Sequence, residues 1–134
     1  MAKGLTEKVR EFIERHELCR LATVSKDGSP HVVPVNYLLH GEFIYIFTDY
    51  GTKKLSNIRR DPRVAVLIDE YRPNKAVLAL GRAEVLHAGE EYREVYEKFY
   101  RKFSWVRASP WREGEAPLLK VRINRVISWG LPER

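Results

Sequence analysis

The first apolar positions, Leu5, Val9, Phe12 and Ile13, recur at helical spacing, so the chain opens with a helix over about Thr6 to His16. The period then drops to two. "LCRLATV" (18–24) reads as a strand, and "SKDGSP" turns it at Asp27-Gly28, a strong hairpin signal. "HVVPVNYLL" (31–39) is a second strand, leading through His40-Gly41 into "FIYIFT" (43–48). There Phe43, Tyr45 and Phe47 alternate with Ile44, Ile46 and Thr48. Behind Thr52, an N-cap residue type, Leu55 and Ile58 mark a short helix closed by Asp61-Pro62. "RVAVLI" (63–68) has the pattern of a strand buried on both faces, and the turn "YRPNK" carries it into "AVLALGRAEVL" (76–86). Tyr92, Val95, Tyr96, Phe99, Tyr100 and Phe103 return to helical spacing, with Glu90-Glu91 as the first turn of that helix. A loop over 104–116 precedes the last strand, "PLLKVRINRVISW" (117–129). The expected architecture is mainly β: a six-stranded antiparallel barrel with an N-terminal helix, a short helix after the third strand and a longer helix before the last.

Composition narrows this picture. The chain has 134 residues, enough for one domain over 1–134, and is 44% hydrophobic and 31% charged, an ordinary globular balance. Its start, "MAKGLTEKVREF", lacks an apolar segment, no run is long enough to cross a bilayer, and the single cysteine suits a reducing compartment. A cytoplasmic protein with no membrane partner is therefore expected. Cys19 sits among apolar neighbours and reads as a packing residue. The net charge of +6 points to an acidic partner: nucleic acid, a phosphorylated small molecule or an anionic surface. Basic residues are scattered along the chain, whereas a nucleic-acid reader more typically gathers them into a stripe. His16, His31, His40 and His87 lack metal-ligand spacing, so no metal is expected, and no GxSxG, GxGxxG or Walker pattern occurs.

Two places break local rules. Lys53 and Lys54 fall in the first turn of the short helix, where the free amides already carry partial positive charge and anions are welcome. Either two solvated lysines tolerate a penalty of under ~1 kcal/mol, or amides, the Thr52 hydroxyl and two ammonium groups hold a phosphate. Pro34 stands inside an otherwise regular strand and has no amide to donate. It marks an edge strand, or a ladder break whose free groups face a flat heterocycle, with Asn36 adding a side-chain donor and acceptor. Trp105 and Trp111, flanked by Arg101, Lys102, Arg107 and Arg112, suit either stacked bases or packing over a core or a dimer seam.

A strand, "DG-P", a strand interrupted by proline, a hairpin to an aromatic strand ending "FT", then "GTKK" and "DPRV" form an order that resembles the pyridoxamine 5'-phosphate oxidase-like FMN-binding split-barrel family. The resemblance covers 18–86 well and the rest in general order. It implies that Lys53 and Lys54 hold the FMN phosphate with Thr52 beside them. It further implies that Val33, Pro34, Val35 and Asn36 run along the isoalloxazine and ribityl chain, and that Phe47 and Thr48 close on the flavin. Ala76 falls where the oxidase has a side-chain amide, which leaves a backbone contact. The family implies a homodimer with FMN in a groove between subunits, so that Trp129 or Trp105 would reach the partner's flavin. Two departures matter. Lys53 replaces the usual arginine fork with a point charge, and the C-terminal arginine- and histidine-bearing motif that seats the vitamin's phosphate has no match in "RVISWGLPER". The expected function is thus an FMN-dependent oxidoreductase on another small molecule, such as a pyridine, flavin or quinone-like acceptor. No side chain is assigned as a general base. A flavin-binding or sensing module without turnover, a deazaflavin-dependent reductase and a basic nucleic-acid-binding domain are the alternatives.

Overall fold

A computed structural model describes residues 2–132. Helix α1 (Glu7–Arg15) is capped by Thr6, whose hydroxyl accepts from the Val9 amide at 3.3 Å, and it buries Val9, Phe12 and Ile13. Strand β1 (Leu18–Val24) returns as β2 (Pro30–Asn36) around a turn braced by Asp27, which accepts from the Ser29 hydroxyl at 2.6 Å and the Ser29 amide at 3.0 Å. Those two bonds hold the Asp27 carboxyl below the usual carboxylate range.

The run 31–39, expected as one strand, is two. After Asn36 the chain leaves β1, and β3 (Leu38–His40) pairs instead with β4 (Phe43–Phe47). The cause lies outside the run. Tyr37 is buried, its amide donates to the Glu17 carbonyl at 3.2 Å, and its hydroxyl donates to the Ile13 carbonyl. The end of α1 thereby pins the point where the chain changes partners. Among the described residues seven strands result rather than six, and the short helix α2 (Lys53–Arg60) follows the fourth strand, not the third.

The remaining elements are β5 (Arg63–Glu70), β6 (Lys75–Leu86), α3 (Glu90–Lys102), α4 (Ser104–Ala108) and β7 (Leu118–Trp129). Helix α4 lies inside the expected loop and is anchored by the buried Val106. One antiparallel sheet has the order β2-β1-β5-β6-β7-β4-β3. It curls until β2 and β4 come within 8 Å, a split barrel whose β2 edge stays unpaired. At the β6–β7 bend the register shifts between Leu80 and Gly81. A side chain at Gly81 would lie 2.0 Å from the Arg122 carbonyl oxygen, so only glycine permits that approach.

Two apolar clusters fill the interior. An aliphatic one joins α1, α2 and the sheet through residues such as Ile13, Leu21, Leu55, Val66 and Val121. An aromatic one, around Phe47, Tyr92, Phe99 and Phe103, lies under α3 and α4. Burial pushes the Cys19 thiol up to about 12, with Arg20 a lesser opposing influence, which makes it an inert packing group. The opposite face of the sheet exposes Leu18, Val32, Ile127 and Trp129. Among the described residues no helix is long and apolar enough to cross a membrane.

Candidate functional site

Helix α2 is held from behind. Leu55 and Ile58 enter the aliphatic cluster, Asn57 donates to the Thr23 hydroxyl at 2.9 Å, and Arg60 donates to the Val24 carbonyl at 2.7 Å. Its front is open. Thr52 is the N-cap residue, as its type suggested, yet its side chain makes no capping bond. The hydroxyl instead donates to the Asp49 carbonyl at 2.9 Å and lies 3.3 Å from the Thr48 hydroxyl. The first-turn amides therefore have no cap from Thr52, and no acidic residue stands in that turn. Among the described residues the Lys54 ammonium has neither an ion pair nor a hydrogen bond, and the Lys53 ammonium acts as a charge on Asp27. Together they form an open basic turn on a rigid base, a lysine cradle whose chemistry suits an anion.

Beside it runs β2. The β1–β2 register continues through Arg20 and Pro34, so the ladder is not broken at Pro34, as one reading of the sequence had it. Proline is tolerated here because β2 is an edge. The Tyr37 amide bonds Glu17, and the Ser29 carbonyl accepts from Ser25 at 2.8 Å, so the odd-numbered residues between them face β1. Pro34 consequently turns its amide-less nitrogen to the free side, where its carbonyl stands between the unpaired backbone groups of Val32 and Asn36. Val33 and Val35 point their side chains to the barrel interior, on the face shared with Leu21 and Cys19.

Sequence reasoning considered His31 only as a metal ligand. It pairs with Thr23, the residue that receives Asn57 of α2, and its Nδ1 is buried with no hydrogen-bond partner. A buried polar nitrogen with no partner among the described residues calls for one, and it lies across from Thr23, which ties β1 to α2. Only its position in the strand, two residues ahead of Val33, hinted at this.

Phe47 and Thr48 separate in role. The Phe47 ring is core, edge-on to Tyr92, Phe99 and Trp111 at 4.9–5.4 Å between centroids. Thr48 is buried and faces Thr52. It also borders a cleft of about 310 Å³ that Asp49, Trp105, Trp111 and Glu115 complete. Asn36 joins that cleft to β2 by accepting the Trp105 indole N–H at 2.9 Å. Arg107 donates to the Tyr100 and Arg101 carbonyls, so it is tied to the backbone rather than presented beside the tryptophans.

Two other expected flavin contacts stand apart from the α2 turn. Ala76 is fully buried on β6, three strands from β2 in sheet order, or about 14 Å at the usual strand spacing. Trp129 donates to the Asn74 side chain at 3.2 Å, at the same end of the sheet as Ala76. Neither meets the lysine cradle within one chain.

Among curated proteins, one of uncharacterized function from Rhizobium meliloti is 32% identical over 85 residues, 61% of this chain. The match spans only about half of that relative, 55% of its length. A 5a,11a-dehydrotetracycline/5a,11a-dehydrooxytetracycline reductase of Streptomyces rimosus is 25% identical over 94% of this chain and 83% of its own. The crystal structure of an FAD-binding protein from Mesorhizobium loti superposes with a TM-score of 0.73 at 27% identity, covering 88% of each chain. The fold extends beyond flavin proteins: HutZ, a heme storage protein of Vibrio cholerae, has a TM-score of 0.82 at 16% identity over 98% and 97% of the two chains. A family model described as pyridoxamine 5'-phosphate oxidase matches residues 5–130. With nearly the whole chain inside that match, on a curled antiparallel sheet of the same kind, the protein belongs to the pyridoxamine 5'-phosphate oxidase-like split-barrel family.

Proposed function

We propose that the chain binds FMN and acts as a flavin-dependent oxidoreductase on a small molecule. The observation that carries this is the open start of α2, where an unused cap, unpaired Lys54 and nearby Lys53 converge on one turn. A phosphate dianion is the ligand such a turn fits. Lys53 and Lys54 would neutralise it, the α2 amides and Thr52 would orient it, and Thr48 would fix the Thr52 hydroxyl. His31 Nδ1 would meet a polar group of the nucleotide tail. The free edge of β2, from Val32 to Asn36, offers backbone donors and acceptors to a ring that has both. When bound, the flavin supplies hydride or electron transfer, while the protein supplies placement and solvent control.

The proposed assembly is a homodimer. The outer face exposes apolar side chains, Val32 at 57% and Trp129 at 44%, around the Arg20–Asp69 ion pair, and it reaches the edge where the ring would lie. A second protomer there would bury that face and bring its own Ala76 and Trp129 to the seam. Support for redox chemistry comes from the dehydrotetracycline reductase, and for a flavin ligand from the FAD-binding neighbour. The test is titration with FMN, FAD, a deazaflavin and heme, each followed by its own absorbance. Saturable, micromolar or tighter FMN binding that disappears in Lys53→Ala plus Lys54→Ala supports the reading, whereas heme alone binding, or no flavin binding, refutes it. Anaerobic bleaching by NADPH or NADH then separates an enzyme from a flavin-binding module without turnover.

A further inference from the structure

The cleft beside Thr48 runs against the net charge of a chain that carries +6. Its charged lining is Asp49 and Glu115, and among the described residues no lysine or arginine lines it. The Asp49 carboxylate is exposed and has no hydrogen bond or ion pair among the described residues. Glu115 accepts the Arg112 amide at 2.7 Å through one oxygen, so its other oxygen is available. The remaining walls are indoles. Trp105 and Trp111 lie 6.1 Å apart between ring centroids and 18° from parallel, and Trp105 is 42% exposed.

Both indoles are locked through their N–H groups. Trp105 donates to the Asn36 Oδ1 at 2.9 Å, and Trp111 donates to the Tyr92 hydroxyl at 3.1 Å. With their N–H groups taken, the indoles offer a ligand π surface rather than donors, and the negative face of an indole attracts cations. A carboxylate at the rim strengthens that preference and rejects anions. The volume sits at the small end of ligand clefts, which run from about 300 to 1,000 Å³, so it suits one substituted ring rather than a dinucleotide.

We propose that this cleft is the substrate subsite and that it selects a flat aromatic monocation of the N-alkylpyridinium class. The proposal rests on the flavin reading above, because Asn36 ties the cleft to the strand along which the flavin ring would lie. A neutral ring of the same shape keeps the indoles but forgoes Asp49. An anionic ring meets two carboxylates.

The test is saturation-transfer NMR and calorimetry on the purified full chain, with and without FMN. The probes are the methylpyridinium cation of nicotinamide, neutral nicotinamide and nicotinate. The expected result is saturable one-site binding of the cation, about tenfold or more tighter than nicotinamide, with no binding of nicotinate. Asp49→Asn should lower the cation's affinity about five- to tenfold and leave nicotinamide unchanged. Trp105→Leu, checked for folding by its thermal melt, should weaken both. Equal affinity for cation and neutral ring, no saturable binding, or an indifferent Asp49→Asn overturns the proposal. So does expulsion of the cation by saturating FMN, since the cleft is then cofactor space. Loss of the flavin reading shows separately, as absent flavin binding, and the titration of flavin-free protein still decides the cleft's selectivity.

Discussion

The start of α2 and the tryptophan cleft meet at Thr48 but are opposites in charge and in construction. The α2 turn is basic, built on backbone amides and two flexible lysines over a base pinned by Asn57 and Arg60. The cleft is acidic and aromatic, with its two indoles locked through hydrogen bonds. On the proposed reading, the difference teaches a division of labour. A phosphate needs charge and orphan amides but little shape, because the dianion itself supplies most of the attraction. Discriminating among small rings needs rigid walls, because contacts made by a loose wall are cancelled by the entropy of ordering it.

Substitutions can separate the two ends, and the largest expected effect is on the floor of the cleft. Phe47→Ala removes a ring that packs on four aromatic side chains and should lower unfolding stability by about 3–5 kcal/mol in denaturant titrations. A loss below about 1 kcal/mol would mean that the aromatic cluster is not a packed core. Next comes the basic end. Lys53→Ala with Lys54→Ala should weaken FMN roughly 100-fold, read by flavin fluorescence, while leaving the melt of the flavin-free protein nearly unchanged. An equal loss of stability would turn the cradle into a structural feature. His31→Ala should follow, with FMN affinity down about tenfold and flavin-free stability unaffected or raised, since a buried nitrogen without a partner has been removed.

The smallest effect is a pH dependence far from both ends. The Lys120 ammonium at 2.7 Å, and then the Tyr45 hydroxyl, hold the Glu91 carboxyl below its ordinary value. A carboxyl lowered on folding stabilises the protein above its unfolded value, and that contribution is lost as pH falls through the folded one. Glu91→Gln should therefore reduce stability slightly at pH 7, and the gap to the wild type should close on acidification below about pH 4.5. A gap that widens in acid would reverse the assignment.

Much of the fold was legible because periodicity is local. Leu5 through Ile13, the alternation from Phe43 to Thr48 and the stripe from Tyr92 to Phe103 each announced an element the structure contains. Tyr37 was not legible, because the break there comes from Glu17 and Ile13, which lie 20 and 24 residues away. The same limit hid α4, whose anchor Val106 is buried by tertiary packing. At the candidate site, the lysines were conspicuous because they violate a local rule. The turned-away hydroxyl of Thr52 and the orphan nitrogen of His31 were invisible, since each depends on a neighbour the sequence does not place beside it.

Pro34 has a consequence for how this chain avoids the wrong company. Sheet edges recruit strange strands into runaway stacks, and a donor missing from the middle of the outermost strand spoils the template. Replacement of this residue by valine would restore that template, so soluble yield after prolonged incubation should fall even where the monomer itself becomes no less stable.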